Sequence, residues 1–100
     1  MAMVEFSVVP VGTKTPSVSK YVAKAIKMLE KKKGIKYQLT SMGTIIEGDL
    51  NKIMKIVLEI HNAIFSKEVK RVVTTIKIDD RRDKKLTIKG KIASVINKLK

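Results

Sequence analysis

The chain has no cysteine, no tryptophan, two prolines and a single histidine. The missing thiols exclude disulfides, thiolate nucleophiles and cysteine-based zinc sites together. One imidazole without a thiol leaves little from which to build a transition-metal site, so neither a metal nor a cofactor is expected. It also supplies no base-and-carboxylate arrangement for a nucleophilic serine. Gly12, Gly43 and Gly48 stand isolated, so no phosphate-binding loop is visible. No apolar run approaches a membrane span, and no charged-then-apolar start precedes a cleavage site. A cytoplasmic protein with no membrane partner is the expectation.

What the chain does carry is charge. Its 22 Lys+Arg against 9 Asp+Glu give +13, and nineteen of the 22 are lysine. Such a balance suits an anionic partner. Lysine enrichment with few Asn, Gln and Cys is equally a thermophile habit, and an AT-rich genome produces the same bias. The composition is 44% hydrophobic, enough for a core, and 100 residues make one domain, residues 1–100.

Val4, Phe6 and Val8 alternate with Glu5 and Ser7, which predicts a strand over Met3–Val9 ended by Pro10 and Gly12. Val18, Tyr21, Val22, Ala25, Ile26 and Leu29 recur at helical spacing, with Ser17 as the expected cap and Gly34 beyond the end. Lys36–Met42 and Gly43–Gly48 read as a closely joined strand pair. Asp49 is placed to cap a second helix whose apolar side runs from Leu50 to Phe65. Lys70–Asp79 alternates as a fourth strand, and Ile88, Ile92, Val95, Ile96 and Leu99 suit a short closing helix. The order predicts an α+β, ferredoxin-like β-α-β-β-α-β sandwich: a four-stranded antiparallel sheet, helices on one face, and a C-terminal helix.

The second sheet face would then show Glu5, Ser7 and Val9, Val73, Thr75 and Lys77, and Gln38, Thr40 and Met42. This half-apolar mixture predicts self-association, sheet against sheet. His61 falls on the apolar side of the second helix and reads as a hydrogen-bonded core residue. The segment Asp79–Lys84 alternates in charge. Arg81 and Arg82 are there either an anion site or partners in ion pairs, within the turn or between subunits. RNA-recognition domains share the topology and stack bases on central-strand aromatics. Here the third strand has none and Phe6 faces the helices, which disfavours nucleic acid as a partner.

Five segments in register go beyond a fold pattern: Pro10–Thr13, Ser17–Val22, Ser41–Gly48, Glu59–His61 and Arg71–Lys84. Together they resemble the small thiamine-binding protein family related to YkoF, long catalogued as conserved proteins of unknown function, over roughly residues 3–95. The resemblance implies a homo-oligomer, typically a tetramer of paired dimers. It also implies binding of thiamine or its hydroxymethylpyrimidine part without catalysis. A cationic thiazolium and an aminopyrimidine call for a carboxylate, several hydroxyls and an apolar wall. For that ligand Glu47 is the expected carboxylate. Ser41 and Thr44 would address the pyrimidine, Glu5 and Ser7 lie on the adjacent strand, and Met42 or Ile45 would form the wall. The positive chain favours a thiamine phosphate over the free cation. The alternatives are a structural or regulatory oligomer that binds another metabolite or protein and, less favoured, a nonspecific nucleic-acid binder.

Overall fold

A computed structural model describes all residues, 1–100. The elements run β1 (Ala2–Val11), α1 (Ser19–Glu30), β2 (Lys36–Leu39), β3 (Thr44–Gly48), α2 (Leu50–Ile64), β4 (Arg71–Asp80) and α3 (Ile88–Leu99). The strands form one antiparallel sheet in the order β2-β3-β1-β4. This is the expected ferredoxin-like sandwich, with α1 and α2 packed on one face.

Alternation decides which side chains meet those helices. Val4 and Phe6 of β1 lie beside Ile46 and Thr44 of β3 on the helix-facing side. They pack with Ala25 and Leu29 of α1 and with Ile53, Ile56, Val57 and Ile60 of α2 into one core. The recurrence of these α2 residues every three to four positions presents a continuous apolar stripe to the sheet. Three contacts tie α1 and the turn that follows it to α2. Lys24 Nζ donates to the Ala63 carbonyl at 2.7 Å, Lys32 Nζ donates to Glu59 Oε2 at 2.7 Å, and Lys52 Nζ donates to the Lys33 carbonyl. The hydrogen bond from Lys32 holds the Glu59 carboxyl below the usual carboxylate range. Its contribution is therefore present above the unfolded-state pKa and is lost as pH falls through the folded one. Both side chains reach solvent, so water screens the pair.

Asp49 caps α2 as its position implies, accepting the Lys52 N–H at 3.0 Å. Asp49→Ala leaves that donor to solvent. It should lower stability by about 1 kcal/mol, read as a shift in urea midpoint at unchanged slope.

Four expectations are corrected. β1 does not stop before Pro10 but runs to Val11. Beyond Phe6 it is paired with β4 alone, and a residue without an N–H is tolerated on a strand with one open side. β2 ends at Leu39 because Thr40 turns the chain: its N–H and Oγ1 both donate to the Gly43 carbonyl. Ser17 does not cap α1. The cap position is Val18, without a side-chain bond, and Ser17 Oγ lies 3.3 Å from Ser19 Oγ instead. The second sheet face, finally, is not bare. The start of α3 and the residues leading into it cover one end of that face, with Leu86 and Ile88 buried, while the rest of α3 stands exposed.

Candidate functional site

The difference in strand length around β1 creates the most developed recess in the molecule. β3 pairs with β1 only as far as Thr44 opposite Phe6. β1 continues to Val11 against β4, so the β1 edge from Ser7 onward has no backbone partner on the β3 side. The Thr40–Gly43 turn overhangs that edge, and one side of α1, from Ser19 to Glu30, closes it from above. Gly43 makes the overhang tight: a β-carbon there would sit 3.0 Å from the Phe6 carbonyl oxygen. The cleft, open to solvent on one side, measures about 790 Å³.

Its lining divides by chemistry. Val8, Val18, Val22, Ile26, Leu39 and Met42 form apolar walls. Ser7, Ser17, Ser19, Thr40 and Ser41 bring hydroxyls, and Glu30 is the lone carboxyl, with Lys27 beside it as the lone amine. The unpaired β1 edge adds N–H donors and C=O acceptors in one plane. An apolar slot with in-plane donors and acceptors is the arrangement that holds a flat heterocycle by its edge and its faces.

The residues singled out from the sequence do not converge on this cleft as a set. Ser7 and Ser41 line it. Glu5 lies on the second sheet face, beside Met3, Ile45, Lys77 and Asp79 in a separate shallow depression. Thr44 is buried on the helix-facing side, opposite Phe6. Glu47 is buried on the second face, 6% exposed, and its Oε2 accepts the Ile88 N–H at 2.9 Å. The expected ligand carboxylate thus holds α3. Glu30, Ser17, Ser19 and Thr40 join the cleft without a signal in the sequence that marks them as site residues. The serines and threonine sit at element ends, where hydroxyls are common, and Glu30 meets them only through the fold.

His61 sits away from the cleft, on the β4 side of α2. Its Nδ1 is 2.6 Å from Thr74 Oγ1, and its ring meets Phe65 edge-on at 5.5 Å. The hydrogen bond is the one expected from its position, but the ring is half-buried at the margin of the core rather than within it. Arg81 and Arg82 are engaged within their own loop. Arg81 donates to both oxygens of Asp83, at 2.6 and 3.0 Å, and Arg82 donates to Asp80. Those hydrogen bonds push both guanidinium groups further up and hold the Asp83 carboxyl down. Each cation there already faces an anion two residues away. No helix of the chain is long and apolar enough to cross a membrane.

Comparison with known proteins bears on what such a cleft is for. The family described as thiamine-binding protein matches residues 4–96. UPF0045 protein YqgV of Bacillus subtilis is 51% identical over 98 residues, covering 95% of this chain and 94% of that one. A hypothetical protein of Methanocaldococcus jannaschii superposes with a TM-score of 0.85 at 41% identity, covering 94% of each chain. A Thermotoga maritima protein described as a candidate thiamine biosynthesis/salvage protein superposes with a TM-score of 0.76 at 26% identity, covering 94% of this chain and 97% of that one.

Proposed function

Because the chain belongs to the thiamine-binding protein family, we propose that it binds thiamine, its hydroxymethylpyrimidine part or a thiamine phosphate in the cleft between β1, α1 and the β2–β3 turn. In this reading it acts in the cytoplasm as a homotetramer and catalyses nothing. The observation that carries the reading is the unpaired β1 edge at the floor of an apolar, hydroxyl-rimmed slot. An aminopyrimidine offers an edge of alternating donors and acceptors, which a strand edge can match. Its flat faces fit between Val8, Val22 and Leu39. Glu30 is placed to face a thiazolium and Lys27 a phosphate ester. A binding role without catalysis is supported by the position of the one imidazole, which is bonded to Thr74 outside the cleft.

Titration calorimetry with thiamine, its phosphates and hydroxymethylpyrimidine tests the proposal. Heat of binding is expected for at least one of them. Val22→Trp, which fills the slot from α1, should weaken that binding by tenfold or more while the circular dichroism stays unchanged. Glu30→Gln should weaken thiamine by about two- to fivefold, the scale of an exposed charge contact, and leave the uncharged pyrimidine alone. Silence from every ligand at millimolar concentration would reject the function. Undiminished binding by the Val22→Trp variant would reject the site.

A further inference from the structure

The open edge of β1 carries donors and acceptors in a fixed order. In an antiparallel sheet the N–H and C=O of one residue point to the same neighbouring strand, and successive residues alternate between neighbours. A β-carbon on Gly43 would sit 3.0 Å from the Phe6 carbonyl oxygen, so that carbonyl points to the β3 side. Val8 and Pro10 follow with the same parity, whereas Ser7 and Val9 turn their groups to β4. β3 pairs no further than Phe6, so Val8 and Pro10 meet no strand on their side.

The β2–β3 turn does not take the place of that strand. The N–H groups of Thr40, Met42 and Gly43 are bonded within the turn, to the Gly43 carbonyl or to Thr40 Oγ1. Pro10 has no N–H to offer. Val8 is therefore the one residue of β1 that turns both a free donor and a free acceptor into the cleft. Along the strand the order is an acceptor at Phe6, a donor and then an acceptor at Val8, and an acceptor alone at Pro10.

A 4-aminopyrimidine is complementary to the pair at Val8. Its ring nitrogen beside the amino group accepts from the Val8 N–H, and the amino group donates to the Val8 carbonyl. This placement also fixes the flanks of the ring. The carbon-2 substituent lies toward the Phe6 carbonyl, which repels an oxygen and does not repel a methyl. The carbon-5 substituent extends toward Pro10. A 4-oxo ring reverses the edge, setting donor against donor and acceptor against acceptor.

We infer that the cleft reads its heterocycle through the main chain of Val8, selecting 4-aminopyrimidines without an oxygen at carbon 2 and rejecting 4-oxo and 2-oxo rings. The inference rests on the ligand site proposed above and adds to it the edge that is read and the direction in which the ring lies.

Two matched pairs of compounds test it by calorimetry. Oxythiamine carries a 4-oxo group where thiamine carries the amino group. Opposing like groups in place of two hydrogen bonds should weaken it roughly 10- to 100-fold relative to thiamine. 5-Hydroxymethylcytosine keeps the amino edge but has a 2-oxo group where hydroxymethylpyrimidine has a methyl. One repelled contact should weaken it by about 5- to 20-fold relative to that compound. Amide exchange gives a readout at the residue itself. The Val8 amide should exchange freely in the unliganded protein and slow by about tenfold or more with thiamine bound, while Ser7 and Val9, bonded to β4, stay protected throughout. Equal binding within either pair, or thiamine binding that leaves Val8 exchange unchanged, would overturn the inference and leave the ligand site standing. A Val8 amide already protected without ligand would overturn it as well. Silence from all four compounds would reject the binding function itself, and the inference with it.

Discussion

Glu47→Ala should release α3 from the sheet while leaving the sandwich folded. A twelve-residue helix is marginal by itself in water, and every residue of α3 after Ile88 is exposed. Its attachment is confined to the first turn and the residues just before it. Leu86 and Ile88 are buried there, Lys91 reaches Asp79 at 2.8 Å, and the Ile88 N–H donates to Glu47 at 2.9 Å. Of these, the Glu47 bond is the buried one, and it sits at the helix end where a carboxyl is favoured by the aligned peptide dipoles. A hydrogen bond to a charged group contributes about 1.5–3 kcal/mol, and removing the acceptor leaves the donor buried without a partner. At about 1.4 kcal/mol per factor of ten, that predicts an approximately 10- to 150-fold loss of amide exchange protection across α3. Amides of β1 and α2 should keep theirs. Glu47→Gln retains an acceptor of the same reach and should lose much less. Unaltered protection of Lys91–Leu99 in the alanine variant would show that Leu86, Ile88 and the Lys91 pair suffice.

Glu47 also shows where reading from sequence stops. The strand register puts it on the second sheet face: it lies opposite Met3, between the helix-facing Ile46 and the last β3 residue, Gly48. What alternation could not show is the cover. The partner is a backbone N–H 41 positions later, and no local pattern links the two. Local signals worked where the physics is local. Val4 and Phe6 set the face of β1, the Asp49 side chain caps α2, and the apolar spacing of α2 orients its core stripe. They failed where a neighbour decides. Pro10 reads as a strand end unless one knows that β3 has already stopped, and Ser17 reads as a cap unless one knows that the chain enters α1 through Val18. The cleft belongs to the second kind. It exists because β1 outruns β3 and because Gly43 lets the turn approach Phe6. Its hydroxyls therefore come from three separate segments, of which Ser7 and Ser41 alone had been singled out as ligand contacts.

The largest single loss of stability is expected from Phe6→Ala. Phe6 is 3% exposed and lies at the centre of the core with Ala25, Leu29, Ile53, Val57 and Ile60. Truncating a buried phenylalanine costs about 3–5 kcal/mol, the transfer term plus the cavity that a rigid sheet cannot collapse. Domains of this size hold about 5–15 kcal/mol in total, so the variant should be partly unfolded at physiological temperature. With about 4–8 °C per kcal/mol, the midpoint should fall by at least 12 °C in a thermal scan. Phe6→Leu keeps most of the volume and should lose less than half as much. The same side chain bears on the nucleic-acid alternative, because base stacking on this topology needs an aromatic on the face opposite the helices. Phe6 points the other way, and the neighbouring residues on the second face are Glu5 and Ser7. Its replacement should therefore appear in stability first. Ligand affinity, measured on whatever fraction is folded at low temperature, should change only through the Phe6 backbone that seats Gly43. An unchanged thermal midpoint in Phe6→Ala would mean that β1 presents the opposite face to the helices, and the register on which the cleft depends would be wrong with it.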